Sequence, residues 1–306
     1  MDTVRSFSDL EALALSADKQ TVALAAAHSE EALLAIDCAR KRGIVDAILV
    51  GDKAQIEAHA EKNGIEPGDY EIVDVPDGAK AAVKAVELVR EGRAQLLMKG
   101  LVETGDFLRA VLDGANGLRT KQRLCSVVAL ECRAIGRVVV LADVGTNIAP
   151  TVEEKASILE SCFAVSRAVG VENPKAAVLC AQEKVQREAM PVTAEAALLS
   201  KMSERGQIAG GIVEGPISMD IAVSRHASDI KKFSGKIRGD ADILLVPDLQ
   251  AGNILVKGLM YLSGDVRVAG VGMGAKVPLI LTSRGDDHDT KYHSIVLAVL
   301  ISRPGG

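Results

Sequence analysis

The chain has no tryptophan, three tyrosines and four phenylalanines among 306 residues. With aromatics at 2%, its cores must be built from Ala, Val, Leu and Ile, and an aromatic platform for single-stranded nucleic acid is not expected. Cysteine is sparse and odd in number (Cys38, Cys125, Cys132, Cys162, Cys180), without CxxC or close Cys/His pairing. That argues against a disulfide scaffold and a zinc site, and fits a reducing cytosol. Positive charge is not in excess: 36 Lys+Arg face 41 Asp+Glu, a formal charge of −5. Neither nucleic acid nor an anionic membrane exerts a global pull on such a chain. No apolar run approaches the roughly 20 residues that span a bilayer. The opening segment has acidic residues where a signal peptide needs a basic head and an unbroken apolar run. A soluble, cytoplasmic protein is expected.

What is present is an ordinary globular composition, 48% hydrophobic and 25% charged, long enough for two domains. Short apolar runs alternate with longer amphipathic stretches. The runs at 22–26, 47–50, 71–73, 95–98, 138–141, 176–180, 211–214, 243–246 and 277–282 read as strands covered on both faces. Helix patterns lie between them, at 29–42, 80–91, 105–112, 152–169, 193–205, 254–262 and 289–301. Strand, helix, strand, repeated, predicts α/β layers with mainly parallel sheets. The polar bend at 114–123 and the Gly-rich stretch at 264–276 are candidate crossings between domains. They suggest a first domain of residues 1–130 plus 272–306 and a second of 131–271.

The polar ends of the apolar runs carry the chemistry. Ser283-Arg284-Gly285-Asp286-Asp287 follows the last run and precedes a long helix. Ligands of open α/β sheets bind beyond the carboxyl ends of strands, and a helix N-terminus there favours phosphate. Ser283 offers a hydrogen bond and Arg284 a bidentate pair. The plainer reading is a turn in which Asp286, Asp287 or Asp289 caps the helix. Asp143 to Thr151 ends another run; Thr151 with Glu154 has the spacing of a capping box, which leaves Asp143 and Asn147 as candidate cleft residues. Gly215-Pro216 to Asp220, and Pro247-Asp248 to Asn253, read as further strand-to-helix turns. Lys99 places a cation at another strand end, although its ordinary reading is a solvated charge. Arg119, Lys121 and Arg123 make a locally basic segment that could grip phosphate. Gly270, Gly272 and Gly274 precede a strand instead of following one into a helix, so they form neither a Walker A loop nor a sound dinucleotide fingerprint. The five histidines lack HExxH spacing; His226 is the one with a weak case for lining a site.

Taken in order, these segments resemble the phosphate acetyl/butyryl transferase family. The match runs through Lys99-Gly100, Thr104, Phe107-Leu108-Arg109, Asp143, Asn147, Pro150-Thr151, Gly215-Pro216, Asp220, Pro247-Asp248-Leu249, Gly252-Asn253, Lys257 and Ser283-Arg284-Gly285. Each is weak alone; the ordered set spans about two thirds of the chain and is specific. The stretch Leu96–Thr120 looks most like the butyryl branch. The resemblance implies a two-domain, three-layer α/β sandwich similar to isocitrate and isopropylmalate dehydrogenases, with the active site in the interdomain cleft. It implies the reaction acyl-CoA + phosphate ⇌ acyl phosphate + CoA without metal or resident cofactor, CoA being a substrate, and a homo-oligomer of at least two chains. It implies catalytic roles for Ser283, Arg284 and Asp286, and substrate contacts from Lys99, Arg119 or Arg123, Asn147, Asp220 and Asn253. The acetyl branch has an Asp seven positions after the Ser; here that position is Thr290, and Asp286, Asp287 and Asp289 are the neighbouring carboxylates. Rival readings are a phosphate acetyltransferase, a metal-dependent dehydrogenase on the same fold, for which no convincing ligand set is present, and a non-catalytic CoA-binding relative, against which the intact Ser283-Arg284 pair speaks.

Overall fold

The computed structural model describes residues 5–303. In chain order the elements are α1 (Phe7–Leu15), β1 (Gln20–Ala25), α2 (Glu30–Lys41), β2 (Val45–Gly51), α3 (Lys53–Lys62), β3 (Glu71–Asp74), α4 (Gly78–Arg90), β4 (Leu96–Lys99) and α5 (Thr104–Val111). They continue with β5 (Cys125–Cys132), β6 (Arg137–Ala142), α6 (Val152–Ala168), β7 (Lys175–Leu179), α7 (Pro191–Glu204), β8 (Ile212–Ile217), α8 (Met219–Val223), α9 (Arg225–Ile230), β9 (Ile243–Leu245) and α10 (Leu249–Leu262). The chain closes with β10 (Val266–Met273), β11 (Leu279–Ile280) and α11 (His288–Ile301).

Two compact units result. Ser8–Gln122 and the segment returning from Ala269 form one; Arg123–Val268, with Arg5, Ser6 and Phe7, form the other. A boundary at 130/131 falls inside β5, whose antiparallel pairing with β6, from Val127↔Ala142 to Cys132↔Arg137, keeps the whole strand with the second unit. The chain passes back to the first unit within β10 itself.

In the first unit the strand order is β3-β2-β1-β4-β11-β10. β1, β2, β3, β4 and β11 run parallel, with Val22 opposite both Ala47 and Leu96, and Leu279 opposite Leu97. β10 is antiparallel to β11. Central strands such as β4 are buried along their length, which is why they read as unbroken apolar runs. Helix α4 starts at Asp77, whose carboxylate accepts from Lys80 N–H. Helix α11 starts at Asp287, which accepts from Thr290 N–H at 2.8 Å, so of the three candidate caps it is Asp287 that serves.

In the second unit the order is β5-β6-β9-β7-β8. Its core is aliphatic, with Leu130, Leu141, Ala177, Ile217 and Leu244 among the buried residues. The Thr151/Glu154 capping box is present at the start of α6, and Asp248 caps α10 through Ala251 N–H. Gly215-Pro216 lies inside β8 and not after it. β8 ends the strand order of this unit, and an outer strand tolerates a residue that lacks an N–H.

Candidate active site

Parallel register aligns the carboxyl ends of β1, β4 and β11. Ala25 stands opposite Lys99, and Met98 opposite Ile280, so the Lys99 turn and the segment from Leu281 onward leave adjacent strands side by side. Gly100 permits this packing: a Cβ there would lie 2.3 Å from the Ala26 carbonyl oxygen. Lys99 is not a solvated charge. It is 4% exposed, and its ammonium donates to the carbonyls of Gly100 at 3.3 Å and Val102 at 3.2 Å. Burial, then the charges of Arg284 and Lys291, push its pKa below the ordinary lysine value, with Glu103 and Asp286 opposing. Desolvation and like charge both disfavour a further proton here, so an anion entering beside these cations would relieve the strain.

The Ser283–Asp286 turn closes on itself. Asp286 N–H donates to the Ser283 carbonyl at 3.2 Å, and Ser283 N–H donates to Asp286 Oδ2 at 2.6 Å. Ser283, Arg284 and Gly285 are exposed. Arg284 forms an ion pair with Glu103, the residue preceding α5. The hydroxyl of Thr282, just before the turn, is buried and makes no hydrogen bond. Lys291 on α11 donates to the carbonyls of Ser283 and Asp286. Lys99, Ser283, Arg284 and Asp286 are therefore brought together. Arg119 lies further along the chain, where its backbone bridges Ala275 and the neighbouring Thr120 hydroxyl donates to Gly274 O at 2.6 Å.

The second unit holds a separate polar cluster at the end of β6. Asp143 is 2% exposed and Asn147 is 3% exposed. Asp143 accepts from the N–H groups of Gly145, Thr146 and Asn147 and from the Asn147 amide. The Asn147 side chain also donates to Leu124 O and accepts from Arg123 Nε at 2.6 Å. Arg123 pairs in addition with Glu154 at 2.9 Å. The Asn253 amide reaches the same loop, donating to Val144 O at 3.2 Å. Arg123, Asn147 and Asn253 thus converge.

Asp220 does not join them. It sits with Ser218, Glu183 and Lys231, where the Ser218 hydroxyl and the Lys231 ammonium hold its pKa down. His226 is exposed. Among the described residues no three His, Cys, Asp or Glu side chains converge as metal ligands, and no helix is long and apolar enough to cross a membrane.

Sequence reasoning passed over Glu103 and Lys291. The signal for Lys291 was a cation in the first turns of a helix, where the dipole disfavours it, on a face otherwise formed by Ser294, Ile295 and Ala298. Glu103 gave none, because its partner lies 181 positions away along the chain (284 − 103).

The structure is an α/β protein in which Arg284 and the buried Lys99 and Lys291 stand at adjoining strand ends, and comparison gives its family. Residues 8–82 and 77–299 match the family model described as "Phosphate acetyl/butaryl transferase", and the chain belongs to that family. It is 44% identical over 299 residues to the phosphate butyryltransferase of Clostridium acetobutylicum, covering 98% of this chain and 99% of that protein. It is 41% identical to the phosphate acetyltransferase of Rhizobium meliloti, over 86% of this chain and 82% of the other. The crystal structure of a branched-chain phosphotransacylase from Enterococcus faecalis superposes with a TM-score of 0.81 at 33% identity, over 92% of this chain and 99% of that one. A likeness of fold alone extends to the 4-hydroxythreonine-4-phosphate dehydrogenase of Klebsiella pneumoniae, with a TM-score of 0.58 at 12% identity over 94% of this chain and 100% of that one.

Proposed function

We propose that the protein catalyses acyl-CoA + phosphate ⇌ acyl phosphate + CoA, with butyryl or another short acyl group favoured over acetyl. The observation that carries this is the meeting of Arg284 and the buried Lys99 at one strand-end turn that also bears an exposed Ser283. Phosphate is a dianion that a planar guanidinium grips bidentately, and Lys99 adds charge from within the fold.

In the forward direction a phosphate oxygen attacks the thioester carbonyl carbon. Negative charge builds on the carbonyl oxygen, the C–S bond breaks, and CoA leaves as a thiolate that takes a proton. Ser283 donates to the developing oxyanion, and a fixed donor of this kind contributes about 3–4 kcal/mol. In reverse, the CoA thiol must lose its proton as it attacks acyl phosphate, and a carboxylate of the turn accepts it. We assign that role to Asp286, whose carboxylate lies within the turn against Ser283, whereas Asp287 caps α11. Holding both substrates together replaces a covalent enzyme intermediate. Neither a metal nor a resident cofactor is called for. In the second unit, substrate contacts are assigned to Arg123 and Asn253, while the internally bonded Asn147 and the ion-paired Asp220 favour structural roles. The free thiols and acidic composition support a cytoplasmic location, and we take the working form to be a homo-oligomer.

The preference for butyryl draws on the 44% identity to a butyryltransferase and the overlap with a branched-chain enzyme. Two extra buried methylenes at about 0.8 kcal/mol each favour butyryl by about tenfold, if the gain is realised in the transition state. The test is phosphate-dependent thiol release from acetyl-, propionyl-, butyryl- and branched acyl-CoA. Butyryl or branched acyl-CoA should give the highest kcat/KM. Acetyl-CoA in first place would make the enzyme an acetyltransferase; no release from any would remove the reading.

A further inference from the structure

Lys291 is the fourth residue of α11 and is 3% exposed. Burial pulls its pKa below the ordinary lysine value, with Asp286, Glu31 and Asp287 opposing. The helix dipole disfavours a cation there, and its neighbours on that face are buried. Its ammonium is spent on two backbone carbonyls, those of Ser283 at 3.3 Å and of Asp286. Both belong to the turn that presents Arg284. Ser283, Arg284 and Gly285 are exposed, and Gly285 has open space where a Cβ would stand. The turn is held by the hydrogen bonds between Ser283 and Asp286, by those from Lys291, which join it to α11, and by the ion pair of Arg284 with Glu103.

We infer that Lys291 is a positioning residue for the acyl transfer: from α11 its ammonium fixes the Ser283–Asp286 turn, so that the Ser283 hydroxyl meets the thioester carbonyl oxygen and the Arg284 guanidinium meets phosphate in one geometry. The inference rests on the assignment of this turn to phosphate under the proposed function. Helix stability alone does not account for the residue, because a cation in the first turns opposes the helix dipole and its burial carries a desolvation cost. A buried ammonium kept for its two carbonyl partners trades stability for geometry at the site.

The experiment compares Lys291→Met, Lys291→Arg and Arg284→Lys in the full-length protein. It measures thermal midpoint, kcat, and KM for phosphate and for acyl-CoA. Lys291→Met should lower kcat/KM for phosphate by about 10- to 100-fold in protein that is still folded at the assay temperature, the loss expected when reacting groups shift by about 1 Å. Its KM for acyl-CoA should stay within about twofold, and Lys291→Arg, still able to donate to both carbonyls, should recover part of the loss. A lowered midpoint with wild-type kinetics in Lys291→Met would make the residue structural and overturn the inference. If Lys291→Met does not fold, Lys291→Gln is read in the same way, and normal phosphate kinetics in it overturn the inference. Arg284→Lys separates the two levels. If it raises the phosphate KM while Lys291→Met is normal, only the positioning role falls; if it leaves phosphate use unchanged, the assignment of the turn falls and the inference with it.

Discussion

Glu103 forms an ion pair with Arg284, so the guanidinium proposed to bind phosphate is already engaged by a carboxylate of the same fold. Both side chains are well exposed, 69% and 54%, and such a pair contributes at most about 1 kcal/mol. It is a weak internal competitor that phosphate must displace. Glu103→Gln removes the competing charge and should lower the phosphate KM by up to about fivefold, the equivalent of that energy, with the KM for acyl-CoA unchanged. Steady-state kinetics at low salt, where surface charges are least screened, would reveal it. A phosphate KM that rises in Glu103→Gln would instead make Glu103 part of the binding apparatus.

The parts of this site that lie within one stretch of chain were legible in the sequence. Ser283-Arg284-Gly285 at a strand end, the capping box of Thr151 and Glu154, and the alternation of strands and helices are local patterns fixed by local physics. The failures are long-range. Gly270 and Gly272 looked like a loop but lie within β10. A Cβ on Gly272 would stand 2.6 Å from Leu281 Cδ1, so the glycine serves the close approach of the antiparallel neighbour. β5, beside the basic bend, is not among the expected strands, and its partner β6 is what makes it a strand. Lys99 showed a charge at a strand end; only tertiary packing decides that the charge is buried.

The buried position of Lys99 should be visible in stability. Its folded pKa lies below 10.5, the ordinary value at which the unfolded chain titrates. Between the two values the unfolded chain holds more protons, so stability rises as pH increases through that window. Below the folded pKa the full cost of the buried charge is present. Lys99→Met should therefore raise the thermal midpoint at neutral pH and flatten the alkaline rise, leaving the slope due to Lys291, which is shifted the same way. It should also raise the phosphate KM. Thermal melts across neutral to alkaline pH, with phosphate kinetics at neutral pH, would test both. A lower midpoint at neutral pH, or wild-type phosphate use, would refute the account.

Asn147 presents the opposite balance. The family resemblance implies a substrate contact for it, yet its amide is committed to Leu124 O, Asp143 and Arg123 in a buried setting. Asn147→Ala leaves the Leu124 carbonyl without that donor and takes one donor from the buried Asp143. The expected cost is about 2–3 kcal/mol, since buried polar groups lose their partners. Urea unfolding should show a lower midpoint at unchanged m-value. Wild-type stability together with a raised substrate KM would restore the contact role and displace the structural one.

The cysteines supply the last test, of whether the acyl group passes through a covalent enzyme intermediate. A nucleophilic cysteine needs an accessible thiolate stabilised by nearby positive charge. Cys125 is buried, and desolvation with the Asp143 charge pushes its thiol up to about 12. That leaves roughly one thiolate in 10⁵ at pH 7. Cys162 is fully buried and shifted in the same direction. Cys180 is raised to about 11, burial outweighing the Lys155 charge. None of these thiols is primed to attack a thioester. A variant with Cys38, Cys125, Cys132, Cys162 and Cys180 replaced by Ala or Ser should be less stable, because two of the positions are buried in the core, but should keep substantial phosphate-dependent thiol release. In the wild-type protein, quenching during turnover and digestion should yield no acylated cysteine peptide. Recovery of such a peptide, with loss of turnover when that cysteine alone is replaced, would establish a two-step route and displace direct transfer to phosphate.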